Sequence, residues 1–212
     1  SENLNKLIRS NKNFIFIMSG SVFNLKDNSI NYIFSQFLRH GISFIKKLDG
    51  NFSIVIINIK KDTIITIRDR HGSNLLFFTR SNKSLTIMTK IKTLKNISFF
   101  DLQPNWSLIN TYLFKNYRYS YGSKFTFFSN LFLFQNNSIN FFNKHSNKTK
   151  KLKDFKFLYK RNYDSKKAKA KFIYLLNKSF KKRFTEKNVS AFLLSGGLDS
   201  PTIASIASRN IK

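Results

Sequence analysis

The chain has 212 residues and no cysteine, and its 38 Lys+Arg against 10 Asp+Glu give a formal net charge of +28. The length and a hydrophobic content of 42% allow one large domain or two small ones, and the lack of cysteine excludes disulfides, thiolate metal sites and a thiol nucleophile. No apolar run reaches membrane-spanning length and no signal peptide is evident, so we predict a soluble, cytoplasmic protein with no membrane partner.

The positive charge would ordinarily make nucleic acid the first partner to consider. The residues in excess are Lys, Asn, Ile and Phe together, which AT-rich codons specify, and the lysines are spread along the chain. Codon bias therefore explains the basicity without a selected patch, and we expect no sequence-specific nucleic-acid partner. Any binding to DNA or RNA should be weak and should fall steeply with salt.

The first half of the chain indicates several strands around one clear helix. Residues 14–18 form an apolar strand that leads into a tight turn at Ser19-Gly20-Ser21. Apolar residues at helical spacing then predict a helix from Ile30 that Gly41 terminates. After a turn at 48–51, apolar runs predict strands at 52–59, 63–68, 75–79 and 85–88. Both faces of these strands are apolar, which favours a covered sheet in an α+β or layered α/β fold.

Three landmarks follow one another in this half. They are an L-D-G-x-F strand start at 48–52, an R-D-x-x-G turn at 68–72 before a paired strand, and an E-x-K-A-L-like segment at 90–94. Their order and spacing resemble the class II glutamine amidotransferase domain of asparagine synthetases. The resemblance implies a layered Ntn-type domain (α/β/β/α), in which two sheets stack between helices and the Arg-Asp turn is mainly structural.

The catalytic chemistry of that family is poorly matched. The family hydrolyses glutamine with an N-terminal cysteine, and its Asn-Gly-Glu segment builds the oxyanion hole and holds the substrate. The matching residues are Ser19, Gly20 and Ser21, so the resemblance implies a degenerate glutamine pocket and no catalytic residue. Either the first fifty or so residues of a normal domain are missing, or the glutaminase is degenerate, and the substitutions at Ser19 and Ser21 favour the second explanation.

The middle of the chain predicts a short helix around 108–113, a loop at 119–122, and a hairpin in which 131–134 and 139–142 flank a turn. A polar, lysine-rich linker follows. Asp164 or Ser165 can then cap a helix with one apolar stripe, formed by Phe172, Leu175, Leu176 and Phe180. We expect this helix to pack on a following sheet, although an amphipathic basic helix could also bind a membrane surface or an acidic partner.

Near the C-terminal end, residues 189–194 form a short apolar run that predicts a strand buried on both faces, as in a parallel sheet. Two glycines follow, and Ser200 with Pro201 predicts a helix start with Ser200 as the N-cap. The backbone N–H groups of the glycines and of the first helical turn converge on one point, where the helix dipole adds positive charge. This arrangement favours an anion, first of all a phosphate. No Gly-Lys-Ser/Thr follows, so the loop is not of the Walker type.

The segment Ser195-Gly196-Gly197-Leu198-Asp199-Ser200 resembles the pyrophosphate-binding loop of the ATP pyrophosphatases, which split ATP into AMP and pyrophosphate. The resemblance implies ATP and Mg²⁺ as cofactors. Ser195, Gly196, Gly197 and Ser200 would cradle pyrophosphate oxygens, Asp199 would hold Mg²⁺ on them, and Leu194 would border the adenosine.

Both resemblances imply an asparagine synthetase-like protein with an amidotransferase-like domain at 1–143, a linker at 144–163, and the start of an ATP-pyrophosphatase domain, built on an α/β parallel sheet, at 164–212. In that family ATP activates aspartate, and ammonia, free or from glutamine, gives asparagine. The alternatives are a ligase for another carboxylate, as in β-lactam synthetases and lasso-peptide cyclases, or a non-catalytic binding module. A homodimer is a further expectation. A parallel sheet needs several crossover units, so we expect a fragment or an encoded truncation that is inactive alone.

Overall fold

The computed structural model describes residues 7–81, 84–96, 102–115, 124–143, 146–152, 164–184 and 191–210. The chain divides into two units, Ser1–Asp154 and Phe155–Lys212. None of the helices among the described residues combines the length and the hydrophobicity that a membrane span requires.

The described part of the first unit contains strands, three α-helices and a 3₁₀ helix. In chain order these are β1 (Ile8–Ser10), β2 (Phe14–Val22), α1 (Ile30–His40), α2 (Ile42–Ile45), β3 (Gly50–Asn58), β4 (Thr63–Arg68), β5 (Phe77–Arg80), β6 (Leu85–Met88), the 3₁₀ helix (Ile91–Asn96), α3 (Trp106–Lys115), β7 (Phe132–Leu133), β8 (Ser138–Phe142) and β9 (Asn147–Lys151). The second unit contributes α4 (Ser165–Arg183) and α5 (Asp199–Asn210).

Six strands form an antiparallel sheet in the order β1-β2-β3-β4-β8-β9. One row across the sheet runs from Phe16 through Ile56, Ile65 and Phe141 to Lys148. Because side chains of residues paired in register share a face, this row and the rows two residues away from it define one apolar face of the sheet.

Helices α1 and α2 cover that face. Ser29 caps α1 by accepting a hydrogen bond from the backbone N–H of Tyr32, and Gly41 ends it with φ 59°. The ring of Phe16 lies 5.6 Å from the rings of both Phe34 and Phe37, measured between centroids. The predicted helix is confirmed, and its apolar stripe packs on the large sheet to form the main core.

The opposite face of the large sheet packs on a second, three-stranded antiparallel sheet in the order β6-β5-β7. Leu76, Phe134 and Phe142 are buried between the two sheets, and the ring of Phe78 packs against that of Phe134 at a tilt of 32°, with 4.4 Å between centroids. Beyond the small sheet, the 3₁₀ helix contributes the buried side chain of Leu94. The predicted α+β class with two stacked sheets is confirmed.

Two local predictions in this unit are wrong. Ser19-Gly20-Ser21 is not a turn, because β2 continues through it, pairing Gly20 with Phe52 of β3. The predicted hairpin at 131–142 does not form either: β7 pairs with β5 of the small sheet, whereas β8 pairs with β4 and β9 of the large one. The intervening segment crosses from one sheet to the other, with Asn137 in a left-handed conformation at φ 52°. The predicted loop at 119–122 lies outside the described residues.

Differences also appear towards the C-terminus. Strand β9 lies inside the stretch predicted as linker, 144–163, because its backbone extends the large sheet beside β8. The strand predicted at 189–194 begins outside the described residues, and its described part, 191–194, is not a strand: no described strand pairs with it, and Leu193 is 91% exposed. Helix α5 begins at Asp199, two residues before the predicted start. Asp164 caps α4 as predicted, but this helix packs beside α5 rather than on a described sheet.

Candidate functional site

The first candidate site lies at the end of β2, where the sequence places the degenerate glutamine pocket. Ser19 is half-buried, whereas Gly20 and Ser21 are exposed. Gly20 adopts φ 99°, which only glycine takes without strain, and a Cβ there would lie 2.0 Å from the backbone oxygen of Asn51 and 2.2 Å from Nδ2 of Asn74. Glycine is therefore required at this position by both its conformation and its neighbours.

Asn74 connects this site to the turn that follows β4. Its Nδ2 donates a hydrogen bond of 2.6 Å to the backbone oxygen of Asn51. Its own backbone oxygen accepts hydrogen bonds from Ser53 Oγ at 3.1 Å and from Arg68 Nε at 3.0 Å. One residue thus joins the beginning of β3, the neighbourhood of Gly20 and the Arg-Asp turn.

The turn itself is organised by the fully buried carboxylate of Asp69. Its Oδ1 accepts hydrogen bonds from the backbone N–H groups of His71 at 2.8 Å, Gly72 at 2.9 Å and Ser73 at 3.4 Å. Its backbone oxygen accepts from Asn137 at 2.8 Å, and its N–H donates to Phe52 at 3.0 Å. Because so many backbone groups meet one charged side chain, the turn is held in a single shape.

Arg68 lies beside this carboxylate and is 3% exposed. Its two terminal nitrogens donate to the backbone oxygens of Phe134 and Gly72. Burial lowers the pKa of the Arg68 guanidinium, and the charge of Asp69 opposes that shift. The guanidinium ties the large sheet to the segment after β7, so its described hydrogen bonds serve the fold rather than a ligand.

The second candidate site is the loop at 195–200 in the second unit. The backbone N–H and the Oγ of Ser195 each lie 2.9 Å from Ser200 Oγ, which draws the two ends of the loop together. Gly196 adopts φ 77°, and no heavy atom lies within 4 Å of the position that its Cβ would take. None of the described residues accepts a hydrogen bond from the backbone N–H of Gly196 or Gly197.

Helix α5 begins directly behind this loop. Its first intrahelical hydrogen bond runs from the N–H of Thr202 to the oxygen of Leu198, at 3.2 Å. Pro201 is therefore the third helical residue. At that position a backbone N–H would have no acceptor within the helix, so proline, which lacks the N–H, costs no helical hydrogen bond. Ser200 is not the N-cap as predicted; its hydroxyl closes the loop instead. Asp199 stands exposed in the first turn, and this open set of donors fits a phosphate group with a carboxylate at its side.

The model of the glutamine amidotransferase domain family matches residues 28–153, which is more than half of the chain. The chain belongs to this family. The match begins downstream of Ser19-Gly20-Ser21 and ends before the loop at 195–200. The assignments at both candidate sites therefore stay predictions, whereas the resemblance of the intervening landmarks to an amidotransferase domain is confirmed.

Individual proteins resemble this chain over parts of its length, and the chain spans only a small part of each curated relative. The amidase chyE of Penicillium rubens is 32% identical over 74 residues, which cover 35% of this chain and 11% of the relative. Asparagine synthetase (glutamine-hydrolyzing) 2 of Bacillus subtilis is 28% identical over 105 residues, covering 43% of this chain and 14% of the relative. Glutamine phosphoribosylpyrophosphate amidotransferase from B. subtilis, solved with ADP and GMP, has a TM-score of 0.45 and 11% identity over 72% of this chain and 32% of its own.

Asn51 and Asn74 are the site residues that the sequence does not reveal. Their hydrogen bond joins positions 23 residues apart. Neither residue is one of the specified positions of the amidotransferase sequence motifs. The only local signal is the position of Asn74 just after the R-D-x-x-G turn. Among the described residues, no group of three or more His, Cys, Asp or Glu side chains could hold a metal ion, so Asp199 would act on a metal only together with other ligands.

Proposed function

We propose that the protein acts in an ATP-dependent, AMP-forming amide ligase of the asparagine synthetase type, with aspartate as the carboxylate and ammonia as the nitrogen donor. The observation that carries the proposal is the order of two features along one chain. A glutamine amidotransferase domain is followed by a glycine-containing loop at the beginning of a helix, where backbone donors and one carboxylate are exposed. The similarity to a Bacillus subtilis asparagine synthetase supports the same choice.

The loop residues have distinct roles in this proposal. When bound, ATP would supply the adenylyl group that activates the carboxylate substrate. The N–H groups of Gly196 and Gly197 would donate to phosphate oxygens, with the positive end of the α5 dipole behind them. The carboxylate of Asp199 would hold Mg²⁺, a cation that prefers oxygen ligands and phosphate together. Ser195 and Ser200 would keep the loop closed through their mutual hydrogen bonds.

Free ammonia is the favoured nitrogen donor because Ser19 and Ser21 stand where the family has the amide and carboxylate side chains that hold glutamine. The same substitutions favour one alternative of another class, in which the amidotransferase domain is a non-catalytic module that only binds a partner. A ligase acting on a carboxylate other than aspartate would use the same loop.

The test measures AMP and pyrophosphate formed from MgATP by the complete product of the gene that encodes this chain, with aspartate and ammonia present. Asp199→Ala should reduce turnover at least about a hundredfold, as expected when a group that stabilises transferring phosphates is lost. Ser200→Ala should be milder, because it removes one loop hydrogen bond and no charge. Asp164→Ala removes a comparable helix N-terminal carboxylate outside the loop and should leave turnover unchanged.

The outcomes separate the candidate functions. Formation of ADP and phosphate, or full activity of Asp199→Ala, would contradict the role assigned to the loop. Turnover that needs a carboxylate other than aspartate would establish the alternative ligase. No turnover with any carboxylate, in a protein that keeps its native circular dichroism, would favour the non-catalytic module.

A further inference from the structure

Helix α4 carries most of its basic residues on one side. At 100° per residue, five of its eight Lys and Arg side chains fall within an arc of about 100°, centred near one tyrosine. We call this arc the lysine face; it consists of Lys167, Lys171, Tyr174, Lys178, Lys181 and Lys182. All six residues are exposed. Codon bias can explain how many lysines the helix has, but it does not explain why they gather on one side.

The lysine face is turned away from the helix that packs on α4. Leu176, Asn177 and Phe180 are half-buried, and Asn177 Oδ1 accepts a hydrogen bond of 3.3 Å from Nδ2 of Asn210 in α5. Leu176 and Phe180 lie on the other side of the α4 helical wheel from Lys171 and Lys178, whereas Asn177 lies at the edge of the lysine face, beside Lys181. Within this unit, therefore, α5 leaves the ammonium groups of the lysine face open to solvent.

Little negative charge compensates these lysines. The acidic residues in the described part of this unit are Asp164 and Asp199. Asp164 lies 3.7 Å from Lys167 in an exposed pair, which stabilises little in water. From Lys167 to Lys182 the face extends over about 22 Å at 1.5 Å per residue. A positive row of this length complements an extended polyanion rather than a single small anion.

The C-terminal half of the face contains a groove of about 400 Å³, lined by Tyr174, Asn177, Lys178, Lys181 and Lys182. Tyr174 is 61% exposed, and Lys178 Nζ lies 5.7 Å from the centroid of its ring. An exposed aromatic ring among ammonium groups is the combination by which proteins bind single-stranded nucleic acid, since the ring stacks on a base while the cations contact phosphates.

We propose that the lysine face binds single-stranded nucleic acid without regard to sequence. The phosphodiester backbone lies along the lysines, and one base stacks on Tyr174 in the groove. A membrane surface fits less well, because an interfacial helix must insert a continuous apolar side. On α4, Phe172 and Leu175 are exposed, but Leu176 and Phe180 of the same apolar stripe are half-buried. This binding is independent of the proposed ligase activity.

The first test uses the whole chain and fluorescence anisotropy with a fluorescein-labelled oligo(dT) of about 20 nucleotides, longer than the usual site of one binding module. The triple variant Lys178→Glu, Lys181→Glu, Lys182→Glu should weaken binding more than tenfold. It should also reduce the slope of log K against log salt concentration by about 2, because three contacts to single-strand phosphates are lost. Replacing the same lysines with Gln, a good helix former, should give the same direction with less risk to folding.

The matched control makes the same change in charge at three lysines of β9. Lys148, Lys150 and Lys151 are exposed on the edge strand β9, and their replacement by Glu should alter affinity and salt slope much less. Tyr174→Ala should weaken binding to oligo(dT) by about fivefold or more, whereas Tyr174→Phe should retain it. Neither tyrosine variant should change binding to an abasic oligomer of equal length, which offers phosphates without bases.

Several results would overturn the proposal. Equal losses from the α4 and β9 triple variants would mean that binding follows net charge alone. Equal effects of Tyr174→Ala on normal and abasic oligomers would remove the stacking role. Tighter binding to phosphatidylserine vesicles than to oligo(dT), lost in the α4 variants, would assign the face to a membrane, and absence of oligo(dT) binding at low salt would refute the proposal outright.

Discussion

Asp69 shows how one side chain fixes the shape of a segment without taking part in chemistry. Its carboxylate is fully buried, and its Oδ1 accepts hydrogen bonds from three backbone N–H groups of the turn after β4. The neighbouring guanidinium of Arg68 is equally enclosed. The Asp69 carboxylate therefore serves both as the acceptor for the turn and as the nearest negative charge for a buried cation.

We expect Asp69→Ala to destabilise the protein by about 3–5 kcal/mol, because it leaves backbone donors unsatisfied and Arg68 without its neighbouring charge. The measurement is the midpoint of urea denaturation, followed by circular dichroism. Asp49→Ala removes an exposed carboxylate from the same unit and should change the free energy of unfolding by less than about 0.5 kcal/mol. Similar midpoints for the two variants would show that the turn does not depend on the carboxylate.

Gly20 and Gly41 both have positive φ, so alanine substitutions at the two positions separate the cost of backbone strain from the cost of a steric overlap. Gly20→Ala adds a Cβ at φ 99° that would overlap the backbone of Asn51, and we expect it to cost more than about 3 kcal/mol. Gly41→Ala is also placed at positive φ, 59°, with ψ −147°, but its Cβ would have no heavy atom within 4 Å, so backbone strain alone should cost about 1–3 kcal/mol. Equal losses in thermal or urea stability would mean that the contact with Asn51 can relax.

The sequence predicted correctly those helices and strands whose formation depends on neighbouring residues. The helix from Ile30 and the strands at 63–68 and 85–88 form as predicted, because apolar spacing and a terminating glycine act within a few residues. The sequence did not predict which strands pair with one another. The pairing of β7 with β5, and of β8 with β4, joins residues far apart in sequence, which a pattern of apolar runs does not contain.

The same limit explains the errors around the candidate sites. Ser19-Gly20-Ser21 has the composition of a turn, yet pairing with Asn51, Phe52 and Ser53 extends β2 through it. Asn74 reaches Asn51 across 23 residues, so its contribution follows from the stacked sheets and not from its neighbours in sequence. At the loop at 195–200, the sequence predicted that a helix follows the glycines, but it did not predict that the helix begins at Asp199 or that Ser200 Oγ bonds within the loop.

On the scale of the whole chain, the sheets of an amidotransferase domain occur without the side chains that the family uses for catalysis. The two stacked sheets and the Arg-Asp turn of an amidotransferase domain are present. The thiol that the family uses as nucleophile is absent from all 212 residues, and the side chains at Ser19 and Ser21 are short hydroxyls. Fold and activity can thus be separated, because the packing of the sheets does not require the catalytic groups.

We therefore expect the 212-residue chain to release no ammonia from glutamine. Without a nucleophile, covalent catalysis cannot begin, and a missing oxyanion-hole group alone removes about two to three powers of ten in rate. The measurement is a coupled ammonia assay on purified protein against a buffer blank. The variant Ser19→Asn with Ser21→Glu restores the substrate-holding side chain types but not the thiol, so it should remain inactive as well. Glutamine-dependent ammonia release by the unmodified chain above the buffer blank would instead establish a working glutaminase with a different nucleophile.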